Sequence, residues 1–267
     1  MAIIHVICSI ITILHHFNNR KYIHSKIWEK KLFFIFALQL IWATGSLAAE
    51  IDLSKLANYT NYEAKNGDVI TGSTNTCNVT IAAGATVTLK GVSIIGYVSC
   101  IQCKGSAAII LADGTENTLT AQNSQTPAIM VGGDGTTLTI KGKGILNAKG
   151  ANNCAGIGSS RRKSCGNIKI EDGTINAMGG EFAAGIGSGY NGSCGTITIK
   201  GGTVTATGGQ FAAGIGIGQN GSCGAIIIAK GITKVTANKG EYAACNGIDA
   251  GSNKSMTIED QSKVTQN

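Results

Sequence analysis

The feature that most constrains this chain is a phrase that returns every 29 residues. Cys165-Gly-Asn-Ile-Lys-Ile, Cys194-Gly-Thr-Ile-Thr-Ile and Cys223-Gly-Ala-Ile-Ile-Ile start at that interval, and Ala-Gly-Ile-Gly recurs at Ala155, Ala184 and Ala213. Between them stand Gly173-Thr-Ile-Asn-Ala, Gly202-Thr-Val-Thr-Ala and, less regularly, Lys234-Val-Thr-Ala. Looser copies lie upstream at Ala107–Leu111 and Thr137–Ile140, and a partial one follows at Met256–Ile258. A short self-similar unit cannot bury a face alone, so it must stack on its neighbours.

Each copy holds three short runs of alternating apolar and polar residues, separated by Gly, Asn, Asp or Ser. In the clearest copy these are Thr196–Lys200, Thr203–Thr207 and Ala212–Gly216. Three strands per roughly 29-residue rung predict an all-β parallel β-helix, a solenoid with like strands about 4.8 Å apart. A propeller blade would need about 40 residues and four strands. Alternation points Ile168/Ile197/Ile226 and Ile170/Ile199/Ile228 inward from the first strand. It does the same for Ile175/Val204/Val235 and Ala177/Ala206/Ala237 on the second, and Ile157/Ile186/Ile215 on the third. Outward on the second strand fall Asn176/Thr205/Thr236, and on the third Gly156/Gly185/Gly214 and Gly158/Gly187/Gly216. Such a bare face either admits a chain-like ligand to the backbone or packs against a flanking segment. Phe182, Phe211 and Tyr242 precede Ala-Ala in successive copies, which predicts a buried aromatic ladder at one corner.

The flanks divide the chain further. Residues 30–49 read as a secretory signal: Lys30 and Lys31, the apolar run Leu32 to Ala43, and small residues before a cut after Ala48 or Ala49. The apolar stretch Ala2 to Leu14 is too short to span a bilayer comfortably. Residues 1–28 are therefore read either as a second membrane segment or as the product of a start site placed too far upstream. After the signal is cut, no stable membrane span is expected. Residues 50–66 form a lead-in that caps the first rung, and 67–267 form the β-helix, with about six or seven rungs. An open strand edge at the last rung invites end-to-end self-association.

Composition removes several functions. The formal charge is +7, but residues 1–49 carry five of the 22 basic groups and one of the 15 acids. The remainder stands at +3 and lacks the dense basic face of a nucleic-acid binder. Its one basic run, Arg161-Arg162-Lys163, reads as a solvated turn tip. All four His precede residue 30, which leaves the later chain without a His base or ligand. Acids are scattered, and no outward position carries Asp or Glu in three successive turns. Polysaccharide lyase or hydrolase chemistry needs clustered carboxylates, so the chain is read as a non-enzyme without cofactor. The two GxGxxG matches, at Gly187–Gly192 and Gly216–Gly221, precede strands rather than the helix that would meet a pyrophosphate. Their Asn191-Gly192 and Asn220-Gly221 pairs read as turns that tolerate positive φ. In the first-strand column Lys169, Thr198 and Ile227 break any regular Thr lattice, which argues against ice binding.

Eight Cys follow the leader. Cys165, Cys194 and Cys223 fall in phase one rung apart, where side chains that point the same way hold Cβ atoms too far apart for good disulfide geometry. They are read as a thiol ladder. Cys100-Ile-Gln-Cys103 has no second pair to complete a zinc site.

The run Gly192–Gly209 together with Ala-Ala-Gly-Ile-Gly resembles secreted Gly-rich repeat proteins of gut and oral Bacteroidetes. With Leu89-Lys-Gly-Val-Ser-Ile and Ile109–Thr120 it also resembles the carbohydrate-binding β-helix domain family of clostridial cellulolytic bacteria. The resemblance spans about residues 67–260. It implies a right-handed β-helix at the cell surface that binds acidic plant polysaccharide with Ca2+. Gly, Ser and Asn replace most of that family's acidic turns here, and no ligand residue is carried over. The expectation is a non-catalytic, secreted or cell-surface module for polysaccharide or host glycan. The alternatives are a structural stalk or adhesin repeat without a sugar ligand and, second, a lyase-like enzyme. Candidate ligand-contacting residues are Tyr190, Asn191, Thr205, Gln219 and Asn220.

Overall fold

A computed structural model describes residues 48–267 except Ser124 and Asn253. Of the leader read at residues 1–49, residues 1–47 lie outside the described residues. Every strand pairing is parallel, and each joins a strand to its counterpart in the next rung. The chain is a parallel β-solenoid.

Three faces result. The first stacks Ala107–Leu111, Thr137–Gly142, Asn167–Ile170, Ile197–Ile199, Ile226–Ile228 and Met256–Ile258. The second stacks Glu116–Ala121, Ile145–Lys149, Thr174–Met178, Thr203–Thr207, Lys234–Asn238 and Val264–Gln266. The third is an eight-stranded sheet running from Asn61–Ala64 to Ile248–Asp249. Val69–Thr74 and Thr86–Gly96 bend from the first face onto the second and so join the two into one hydrogen-bonded sheet. Their bends fall at Gly72 and Gly91, with φ of +80° and +69°, which a residue with a Cβ adopts only at a cost. Glu50–Asp52 and Asn61–Ala64 already pair in parallel with the rung that follows, so residues 50–66 contribute strands of their own.

The sequence-assigned spine is the core. Ile168 pairs with Ile197 and Ile197 with Ile226, each at most 1% exposed. Ile175, Val204 and Val235 align likewise, as do Ile157, Ile186, Ile215 and Ile248. Each large aliphatic buried this way contributes about 1.5–3 kcal/mol.

Rung length is not uniform. In the first rungs Val69 lies beside Thr88, 19 residues later, whereas Ile168 lies beside Ile197, 29 later. Most of the extra length is spent between the third face and the first. There Ser164–Cys165 and Ser193–Cys194 pair as a short fourth side, continued by a bridge from Ser193 to Ser222. The turn before it is fixed by buried hydroxyls: Ser159 Oγ accepts from the Gly189 N–H and Ser188 Oγ from the Gly218 N–H, both at 2.9 Å. A Ser188→Ala variant leaves that N–H buried without a partner and is expected to lose about 1–3 kcal/mol, read from its urea midpoint.

The bare glycine face is closed by backbone of its own and neighbouring rungs rather than by a flanking segment. A Cβ on Gly185 would stand 2.8 Å from both Ala177 O and Thr207 N. Gly158, Gly187 and Gly216 hold φ of +147°, +135° and +117°, with the next rung's backbone against them.

The thiol ladder requires correction. Cys194 and Cys223 form a disulfide with Cα atoms 4.6 Å apart, and Cys165, one rung earlier, stays a thiol. The expectation treated these residues as members of straight strands. Cys165 and Cys194 instead end two-residue strands just before Gly166 and Gly195, while Cys223 lies in no strand and only a single bridge joins Ser193 to Ser222. Bonds from the Cys194 N–H to Ser222 O at 3.0 Å and from the Gly224 N–H to Cys194 O at 2.9 Å hold the two residues side by side, with their sulfurs joined.

Candidate functional site

Among the depressions of the described surface, two bring polar side chains together. The first lies on the second face, where outward side chains form columns one rung apart. Thr118, Asn147, Asn176, Thr205, Thr236 and Thr265 share a column by backbone register. Beside it runs the column of Thr120, Lys149, Met178 and Thr207. Thr118 to Thr205 of the first column and all four members of the second line a shallow groove of about 370 Å³. Asparagine amides link its rungs: Asn147 Nδ2 donates to Glu116 Oε1 at 2.6 Å, and Asn176 Nδ2 to Asn147 Oδ1 at 2.8 Å. Among the described residues nothing donates to Asn176 Oδ1, so an outward acceptor remains for a ligand hydroxyl. Alternation fixes all these positions: the inward partners Leu119, Ala148, Ala177 and Ala206 are buried.

The second depression lies between the corner turns that lead into the third face and the segments that leave it. It encloses about 410 Å³ and is lined by Phe211, Tyr242, Gln219, Asn220, Asp249 and Ser252 among others. The aromatic ladder runs into it. Phe182 and Phe211 stack at 5.3 Å with their planes 7° apart, and Tyr242 follows at 5.7 Å, tilted by 35°. The expected burial of this ladder is not realised. Phe182 and Phe211 are half-buried, and Tyr242 is 61% exposed. These residues sit in corner turns held by backbone bonds such as Phe211 N–H to Glu181 O at 3.1 Å, where strand parity no longer sets direction.

The five sequence candidates separate. Thr205 lies in the second-face groove, and Gln219 and Asn220 meet in the corner cleft. Tyr190 packs on Phe182 at 5.5 Å with the Arg161 guanidinium 5.6 Å over its ring. Asn191 and Asn220 hold φ of +51° and +55°, the turn role their Asn-Gly pairs predict, and Asn191 lines neither depression. Sequence reasoning missed Asn147, Tyr242 and Asp249 as surface groups. For Asn147 and Asn176 the signal was present, as amides at matching outward positions.

Four buried thiols hold their protons tightly. Burial pushes Cys100 and Cys154 up to about 11 and Cys103 and Cys165 up to about 12. Burial, aided by the Asp68 carboxylate 2.9 Å away, likewise raises the Tyr62 phenol to about 12. In each case the folded state grips the proton harder than the unfolded chain, whose thiols ionise near 8.5 and phenols near 10. Unfolding therefore releases protons above about pH 8.5. Stability from these groups is complete below that pH and drains away as the pH climbs toward 11–12. Urea midpoints measured from pH 7 to 11 are expected to fall steadily above about 8.5, and to fall less in a Cys103→Ala variant. Among the described residues no group of three or more His, Cys, Asp or Glu is placed to hold a metal ion, and no helix is long and apolar enough to cross a membrane.

Residues 138–161, 168–190 and 197–216 match the family model for the beta helix repeat. Together with the stacked rungs, this makes the chain a β-helix repeat protein. No curated protein and no solved structure matches it.

Proposed function

We propose that this β-helix is a non-catalytic, secreted or cell-surface module that holds a polysaccharide or host glycan along its second face. The observation that carries this reading is the column Thr118, Asn147, Asn176 and Thr205. It offers uncharged hydroxyls and amides in an open groove, repeated at the strand spacing of about 4.8 Å. Sugar hydroxyls both donate and accept, and amides and Thr hydroxyls meet them on equal terms. The likeness to carbohydrate-binding β-helix domains and to secreted Bacteroidetes repeats supports the same class of ligand. The Cys194–Cys223 disulfide suits an oxidising, extracytoplasmic setting.

One observation favours a second reading, a stalk without sugar ligand. The amide chain from Asn176 through Asn147 to Glu116 partly satisfies itself. Retention on insoluble polysaccharides and a glycan array separates the two. The binding module is expected to be retained by at least one polymer, with retention about tenfold weaker once Asn176→Ala and Thr205→Ala are combined. Passage of the wild-type chain through every polymer and array feature without retention overturns the glycan reading in favour of the stalk.

A further inference from the structure

The corner cleft is a different kind of place from the second-face groove, and its aromatic ladder explains why. In a ladder that climbs one ring per rung, ring faces cover each other. Phe182 and Phe211 lie nearly parallel at 5.3 Å, and Tyr190 carries the Arg161 guanidinium over its ring. A chain laid along the ladder would therefore meet ring edges. Tyr242 differs: it lines the cleft, is tilted by 35° from Phe211 and is 61% exposed, which leaves ring surface for a ligand.

The polar groups around it are placed for hydrogen bonding. Asp249 Oδ1 accepts from the Gly251 N–H at 2.7 Å, and Oδ2 from the Asn246 N–H at 3.2 Å. These bonds fix the plane of the carboxylate and leave further lone pairs for a ligand. The side-chain amides of Gln219 and Asn220 make no hydrogen bond among the described residues, and both line the cleft. The positive φ of Asn220 holds its turn. The volume of about 410 Å³ falls at the small end of ligand pockets, which run roughly 300–1,000 Å³.

We propose that this cleft is a second carbohydrate subsite that takes a single sugar ring, stacked on Tyr242 and hydrogen-bonded by Asp249, Gln219 and Asn220. It shares only its ligand class with the second-face reading and stands on different residues. A site of this size selects a chain end or a short oligosaccharide, where the open groove would take the middle of a polymer.

Cys245 supplies a reporter, because it lines the cleft and is the one half-exposed thiol among the described residues, the other thiols being buried. The full chain is titrated with a panel of methyl glycosides of neutral, amino and acidic sugars. Occupancy is read as slowed alkylation of Cys245 by peptide mapping. The expected result is saturable protection by at least one glycoside, weakened about tenfold or more by Tyr242→Ala. Tyr242→Phe is expected to bind within about threefold of wild type, and Asn176→Ala with Thr205→Ala to leave protection unchanged. Absence of saturable protection across the panel, or protection that survives Tyr242→Ala, overturns the subsite. If the wild-type chain is still retained on a polymer in that case, the second-face reading stands while this one falls.

Discussion

An Ile197→Asp variant is expected to lose about 5 kcal/mol or more and to melt the rungs on either side of it. Ile197 is fully buried between Ile168 and Ile226. Losing its side chain from the spine removes about 1.5–3 kcal/mol. The carboxylate must then be buried or neutralised, which adds several more. In a solenoid each rung leans on its neighbours, so the damage spreads along the axis. Ile197→Val should cost only about 0.5–1.5 kcal/mol. Thr198→Asp, one residue on and facing outward, should cost less than about 1 kcal/mol. Urea unfolding of the three variants checks this ordering, and native-state hydrogen exchange of the amides at 168–170 and 226–228 reports the spread. Equal midpoints for Ile197→Asp and Thr198→Asp would contradict the assignment of faces.

Removal of the Cys194–Cys223 bond is expected to be the next largest effect. The crosslink closes a loop with a sequence separation of 29. Loop-closure entropy for that length corresponds to about 3–4 kcal/mol, or roughly 10 °C in melting temperature for a chain of this size. Cys194→Ser combined with Cys223→Ser should show this loss, and reducing agent should reproduce it in the wild-type chain. Because the bond joins adjacent rungs, exchange protection should fall first around residues 193–195 and 222–224. A reductant-insensitive melting temperature would mean that the rungs are held there without the crosslink.

How much of this was legible in the sequence depended on whether a position belonged to a regular strand. The Ile168/Ile197/Ile226 and Ile175/Val204/Val235 columns could be read because a fixed period and two-residue alternation together leave one assignment of faces. The same logic placed Thr205 outward, and with it the groove. It failed wherever the backbone turned. Phe182, Phe211 and Tyr242 share the parity of inward isoleucines but sit in corner turns, so parity carried no information about exposure. The glycine face looked open because glycine has no side chain to show what it touches, and its neighbours are backbone atoms that no pattern records.

Asn117 was hidden for a different reason. It occupies the inward column of Leu146, Ile175 and Val204 and is fully buried. Its Oδ1 accepts from the Val92 N–H at 3.0 Å and its Nδ2 donates to Ile145 O at 3.1 Å. Register between Thr86–Gly96 and Glu116–Ala121 begins only at Ser93 and Thr118, so the side chain of Asn117 supplies the pairing that the backbone lacks at this bend. Nothing in a repeat marks such a repair, because it occurs once, where short rungs give way to long ones.

The central claim is that residues far apart in sequence stand in line along one axis. Thr118 and Thr265 are joined through Asn147, Asn176, Thr205 and Thr236 by five successive parallel pairings. Spin labels at Thr118→Cys and Thr265→Cys, with pulsed electron resonance as the ruler, test this directly. Stacked rungs predict one narrow distance near five strand spacings, about 24 Å between backbones, whereas a broad distribution centred well beyond that would contradict the solenoid.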